Sequence, residues 1–281
     1  MKQVSSAKSF GGTQAVYAHQ SAVNNCDMRF GVYTPPEDVH GAGPYPTLWW
    51  LSGLTCTEDN FIIKSGAQRI ASELGIMIVN PDTSPRGEGV PDDPEGAYDF
   101  GLAAGFYVNA TQEPWSKHYH MYDYVTEELR ALAEKELPVD PARTGIFGHS
   151  MGGHGSLTLH LKNPEIYKTC SAFAPISAPS QTPWGRKAFS NYLGPDEAAW
   201  VEYDATQLVA ARPSNAEIFI DQGDADAYLQ EELRPDLFAK AAAQSGQKLT
   251  LKMREGYDHS FFFISTFLEE HMRWHLERLS G

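Results

Sequence analysis

An α/β fold, with a mostly parallel central sheet and helices on both faces, is predicted by three observations. Strand-like and helix-like runs alternate along most of the chain. Its 281 residues suffice for one large core, and no composition shift marks a boundary, so a single domain spanning 1–281 is expected. Finally, Gly148, His149, Ser150, Met151 and Gly152 follow a short apolar run and open a helical one.

In chain order, Ala15 to His19 and Met28 to Thr34 read as early strands. Thr47 to Leu51 and Ile76 to Asn80 read as strands flanking one helix from Asn60 to Leu74. A further helix is expected from Met121 to Leu137, where Pro138 stops it. Thr144 to Phe147 is a buried strand, and the stretch from Gly153 places Leu157 and Leu161 at helical spacing. Cys170 to Ala174, Glu217 to Asp221 and Lys248 to Met253 complete the strands, before an amphipathic helix holding Phe263, Phe267 and Trp274. Two long segments, Pro81 to about Trp115 and Pro175 to about Pro195, read as loops. Both follow strands, so both are expected at the carboxyl edge of the sheet, walling a pocket.

A serine between a strand and a helix, with glycines two residues to either side, is a nucleophile elbow. The turn drives the serine backbone toward positive φ and leaves room only for small neighbours, which gives Gly148 and Gly152 a steric reason. The elbow is the mark of the α/β-hydrolase fold, which supplies its triad in the order serine, acid, histidine. His259 lies on a loop after a strand and before a helix, where it can reach across the sheet as general base. Four carboxylates compete for the acid: Asp221 at a strand end, Asp224 and Asp226 just beyond it, and Asp258 beside the histidine. Adjacent side chains seldom face each other, which disfavours Asp258, but spacing does not choose among the rest. Ser52, Gly53, Leu54, Thr55 and Cys56 follow the strand where a hydrolase keeps its second oxyanion donor. The N–H groups of Leu54 and Met151 are therefore the expected oxyanion hole.

Composition excludes several classes of function. The formal net charge of −14, with no basic cluster, opposes nucleic-acid binding. No stretch approaches a membrane span, and the opening MKQVSSAKSFGG has no apolar core, so a cytoplasmic enzyme is expected. Cys26, Cys56 and Cys170 form neither a disulfide framework nor a zinc pattern. His271 and His275 are spaced as helix-face ligands but lack the HExxH glutamate, and His118 and His120 read as loop hydrogen bonders. No metal is expected. An acidic substrate would need local cations, for which Lys64, Arg86, Arg186 and Lys187 are placed by neighbourhood.

These residues resemble the S-formylglutathione hydrolases, also called esterase D. The resemblance is carried by LSGLTC (51–56), PDDP (91–94), YDFG (98–101), GFYVNATQEPW (105–115), MYDYV (121–125), GHSMGGHG (148–155), PWGRKAF (183–189), IDQG (220–223) and EGYDHS (255–260), which spread over most of the chain. It implies an α/β-hydrolase fold and a cytoplasmic, commonly homodimeric enzyme without cofactor or metal. The implied reaction is hydrolysis of the small-molecule thioester S-formylglutathione to glutathione and formate through a formyl-serine, in formaldehyde detoxification. The implied triad is Ser150, Asp226 and His259, with Leu54 and Met151 as oxyanion donors; because the acid loop reads DAD, Asp224 stands as the rival acid. Cys56 matches a cysteine near the site that is not the nucleophile, and Lys64, Arg86, Trp184 and Lys187 are the other pocket candidates. One departure is Leu102, Ala103 and Ala104, where more glycine is expected; it bears on the pocket wall and not on the chemistry. The competing activities are a general carboxylesterase on short oxygen esters, an acyltransferase, and a non-catalytic hydrolase-fold binding protein.

Overall fold

The computed structural model describes residues 1–280. Nine strands form one sheet in the order β1-β2-β3-β5-β4-β6-β7-β8-β9. These are β1 (Lys2–Ser9), β2 (Gly12–Ser21), β3 (Cys26–Thr34), β4 (Tyr45–Leu51), β5 (Met77–Pro81), β6 (Val139–His149), β7 (Thr169–Phe173), β8 (Ile218–Gly223) and β9 (Leu249–Arg254). β1 to β3 run antiparallel and join β5 antiparallel, whereas all neighbours from β5 to β9 are parallel. The mostly parallel α/β architecture expected from the alternating pattern is therefore present.

The main helices are α1 (Glu58–Lys64), α2 (Ala67–Leu74), α3 (Leu129–Glu136), α4 (Met151–Lys162), α5 (Pro183–Tyr192), α6 (Ala205–Ala211), α7 (Pro235–Ser245) and α8 (Phe261–Leu279). The single helix expected from Asn60 to Leu74 is broken in two, because Gly66 sits at φ 72, in the left-handed region. α1 begins earlier than expected, at a capping box in which Thr57 and Asn60 satisfy each other's backbone N–H groups. The expected Met121 to Leu137 helix is continuous but contains a π-helical turn over Tyr124–Glu128. The segment from Pro175 to Pro195 is not a plain loop, since it carries α5, started by Pro183 at its first position. β1 was not foreseen, because nearly all of it is exposed and it shows no apolar alternation.

Helices on both faces seal the core. Trp50 on β4 stacks on Phe61 of α1 at 4.2 Å and meets Phe147 of β6 edge-on at 4.9 Å. α4 is buried from Met151 through Leu161, so it has no polar face to show solvent. β4 and β6 pair in register, with Leu51 opposite Gly148, so both chains leave the sheet side by side. In parallel strands every carboxyl end shares one edge, and the segments after β4, β6, β8 and β9 carry the expected oxyanion loop, serine, acid and histidine.

Candidate active site

Ser150 directly follows β6 at φ 58 and ψ −118, the strained conformation expected of an elbow, and α4 begins at the next residue. A Cβ on Gly152 would collide with the Leu51 carbonyl, and one on Gly148 would collide with the Gly152 carbonyl. Both glycines are thus demanded by backbone, which no rotamer change can relieve. The Ser150 backbone is held on both sides: its N–H donates to Phe173 O at 3.0 Å, and its carbonyl accepts from His154 and Ile176.

Of the four candidate carboxylates, Asp226 is the one that touches His259. His259 Nδ1 lies 2.6 Å from Asp226 Oδ2, and the same carboxylate accepts from the Tyr228 N–H at 2.9 Å and from Gln222 Nε2 at 3.3 Å. The other three carboxylates are engaged elsewhere. Asp221 is buried against Arg254 at 2.7 Å, Asp224 accepts the Gly256 N–H at 2.7 Å, and Asp258 accepts from Ser260. The acid and histidine loops can meet because Gly223 has no side chain; a Cβ there would strike the Tyr257 carbonyl.

Opposite Ser150 lies the turn from Gly53 to Cys56. Among the described residues no protein acceptor takes the N–H of Leu54 or of Met151, so both are available to an oxygen that gains charge. The turn is strained and braced. Thr55 sits at φ 68 and donates its N–H to Ala103 O at 3.1 Å, and Ala103 is itself at φ 62, with its N–H on Ser84 Oγ at 2.8 Å. Ala103 carries a left-handed conformation that costs roughly 1 kcal/mol, and its carbonyl positions the loop that bears Leu54. Behind the turn, Cys56 O accepts from Thr83 Oγ1 at 2.5 Å and Arg86 Nη2 at 3.3 Å.

Ser150, His259 and the Gly53 to Cys56 turn open into a cavity of about 290 Å³. Cys56, Lys64 and Trp184 line it, as expected. Arg86 and Lys187 do not: Arg86 is drawn to Asp82 at 2.7 Å, and Lys187 to Asp99 at 2.7 Å. The two long segments do wall the cavity, the first through Tyr98 and the second through Trp184, whose Nε1 donates to Tyr98 Oη at 3.2 Å. Sequence reasoning missed Tyr228, Asn60 and Phe261 as lining residues, and it gave no role to His149. Tyr228 had a local signal, two residues beyond the acid; its ring packs edge-on against the His259 ring at 5.2 Å.

Electrostatics sort the remaining groups. Burial, with a smaller push from His259, holds His149 well below its usual pKa, so its neutral ring lies 4.3 Å from that of His259. A histidine that gains a proton there meets an uncharged neighbour. Burial lifts the Cys56 thiol to about 11, which keeps it protonated near neutrality and unsuited to be a nucleophile. His271 and His275 are buried and bond to Ser171 and Thr169, while His118 and His120 bond to loop carbonyls. Among the described residues no group of three or more His, Cys, Asp and Glu could hold a metal ion.

Glu232 supports the pocket wall, accepting the Trp184 N–H at 3.0 Å at the start of α5. Burial raises its carboxyl from 4.5 to about 7, so the folded state keeps a proton that the unfolded chain releases. The resulting stability is fully present below pH 4.5 and is lost as pH rises through about 7. In urea unfolding, the wild type is expected to lose on the order of 2 kcal/mol relative to Glu232→Gln across that interval. Parallel pH profiles for the two proteins would remove the argument.

The family model described as "Putative esterase" matches residues 21–274. The S-formylglutathione hydrolase of Mus musculus is 52% identical over 283 residues, covering 100% of this chain and 99% of the relative. That of Paracoccus denitrificans is 50% identical over 276 residues, covering 98% and 97%. The solved structure of an S-formylglutathione hydrolase from Agrobacterium tumefaciens superposes with a TM-score of 0.96 at 52% identity, covering 99% of this chain and 100% of that one.

Proposed function

The chain belongs to the S-formylglutathione hydrolase family of esterases, and from that premise we propose how its residues hydrolyse S-formylglutathione to glutathione and formate. His259 takes the proton of Ser150 Oγ as the oxygen attacks the formyl carbon, while Asp226 holds Nδ1 and stabilises the imidazolium. The carbonyl oxygen, now negative, is received by the N–H groups of Leu54 and Met151 at the start of α4, whose dipole adds to their effect. The adduct then collapses as the C–S bond breaks, and the departing sulfur takes the proton from His259, which restores the neutral base; because a thiolate leaves readily, this step asks less acid assistance than an amide would. Water, deprotonated by the same histidine, then attacks the formyl-serine; His259 returns that proton to Ser150 Oγ as the C–Oγ bond breaks and formate is released. No cofactor or metal enters this scheme.

The single observation that carries the proposal is the cavity shared by an elbow serine and a histidine anchored at 2.6 Å to Asp226. A role in formaldehyde detoxification and a cytoplasmic homodimer come with family membership as further parts of the proposal. No helix among the described residues is long and apolar enough to cross a membrane.

The test is a comparison of kcat/KM on S-formylglutathione with that on a short aryl acetate. The thioester is expected to be preferred by at least about 10²-fold, the scale reached when a site has been shaped around a particular leaving group. Equal values on both would favour a general short-chain carboxylesterase with the same triad.

A further inference from the structure

The protein carries 36 Asp and Glu against 22 Lys and Arg, so it repels anions at long range. Glutathione brings two carboxylates and one ammonium, and a site that takes its thioester gains from a local cation. Arg86 is paired with Asp82 at 2.7 Å, Arg186 with Glu197 at 2.6 Å and Lys187 with Asp99 at 2.7 Å. Lys64 differs from all three. Among the described residues it has no carboxylate within ion-pair distance, and it is the one Lys or Arg that lines the cavity.

Its surroundings add a second donor and fix where the charge sits. Nζ lies 5.6 Å from the centre of the Phe261 ring, two residues beyond His259, which keeps the ammonium over the histidine side of the cavity. Its charge is felt at Cys56, on the oxyanion side. Asn60 stands one helical turn earlier on α1 and lines the same cavity. Its Oδ1 is taken by the Thr57 N–H at 2.9 Å, so its amide nitrogen is the free donor. An ammonium and an amide N–H facing one cavity are the donor types that the two oxygens of a carboxylate accept from. The formyl group, fixed between Ser150 and the oxyanion donors, is too small to reach them, so the partner must lie on the thiol side.

We propose that Lys64 and Asn60 form a subsite for a carboxylate of the glutathionyl group. The proposal rests on the thioester reading given above. Because Lys64 is exposed, its contribution is modest and screened by salt, and it acts on binding.

The experiment compares S-formylglutathione with the uncharged S-formyl-N-acetylcysteamine, which keeps the acyl group and the thiol class. The readout is the ratio of kcat/KM on the two substrates for the wild type, Lys64→Gln and Lys64→Arg. Lys64→Gln is expected to lower the ratio about fivefold, mainly through KM for the glutathione thioester, while Lys64→Arg retains most of it. Added salt should lower the ratio of the wild type more than that of Lys64→Gln. An unchanged ratio in Lys64→Gln overturns the subsite, as does an equal fall in Lys64→Arg. A wild-type ratio near one also overturns the subsite, whereas wild-type kcat/KM on both thioesters no higher than on a short aryl acetate overturns the thioester reading on which it rests.

Discussion

Ser150→Ala is expected to leave a folded protein whose thioester hydrolysis is slower by at least about 10³-fold. The change removes one oxygen and little else. The elbow is held by backbone bonds to Phe173, His154 and Ile176, none of which involves Oγ, and alanine at φ 58 bears the same strain as serine. Stability should therefore stay within about 0.5 kcal/mol, checked by thermal unfolding alongside kcat. A fluorophosphonate should label the wild type and spare the variant. Turnover near the wild-type level would place the nucleophile elsewhere. Cys56 could not easily substitute, because burial holds it as a thiol.

Asp226→Asn is expected to slow the reaction by about 10³ to 10⁴-fold, while Asp224→Asn stays within a few-fold of the wild type. An asparagine at 226 keeps the shape but not the charge, and its amide can present a donor to His259 Nδ1, which disfavours the tautomer that accepts the serine proton. Asp224 is exposed and accepts only the Gly256 N–H in the loop, a contact whose loss bears on local order. Measuring kcat for both variants on one thioester decides between them. Should Asp224→Asn be the inactive one, the acid assignment would pass to it and the contact at 2.6 Å would be incidental.

The elbow was legible because its causes are local. Gly148 and Gly152 answer to collisions with backbone only a few residues away or on the adjoining strand, and any sequence that makes this turn must show them. The buried strands around it were legible for the same kind of reason, since continuous apolar runs mark strands covered on both faces. β1 left no such mark, being an exposed edge. The segment holding α5 was hidden by its Pro and Gly, although Pro183 suits a first helical position. The split between α1 and α2 turned on Gly66 alone, which interrupted an otherwise helical pattern.

Residue order by itself determined the fold class and pointed to the proposed nucleophile, base and oxyanion segment, because each depends on short-range sterics or on chain order along a parallel sheet. Spacing left four carboxylates open and only the family resemblance pointed to Asp226; the tertiary structure adds its contact with His259, which depends on how closely the Gly223 and Tyr257 segments approach. It alone showed which cations are spent in ion pairs and which one faces the cavity. It also showed that the Ala103 carbonyl accepts the Thr55 N–H, next to Leu54. Hydrogen bonds and ion pairs between segments far apart in the chain are set by packing, and packing has no local signature in the order of residues.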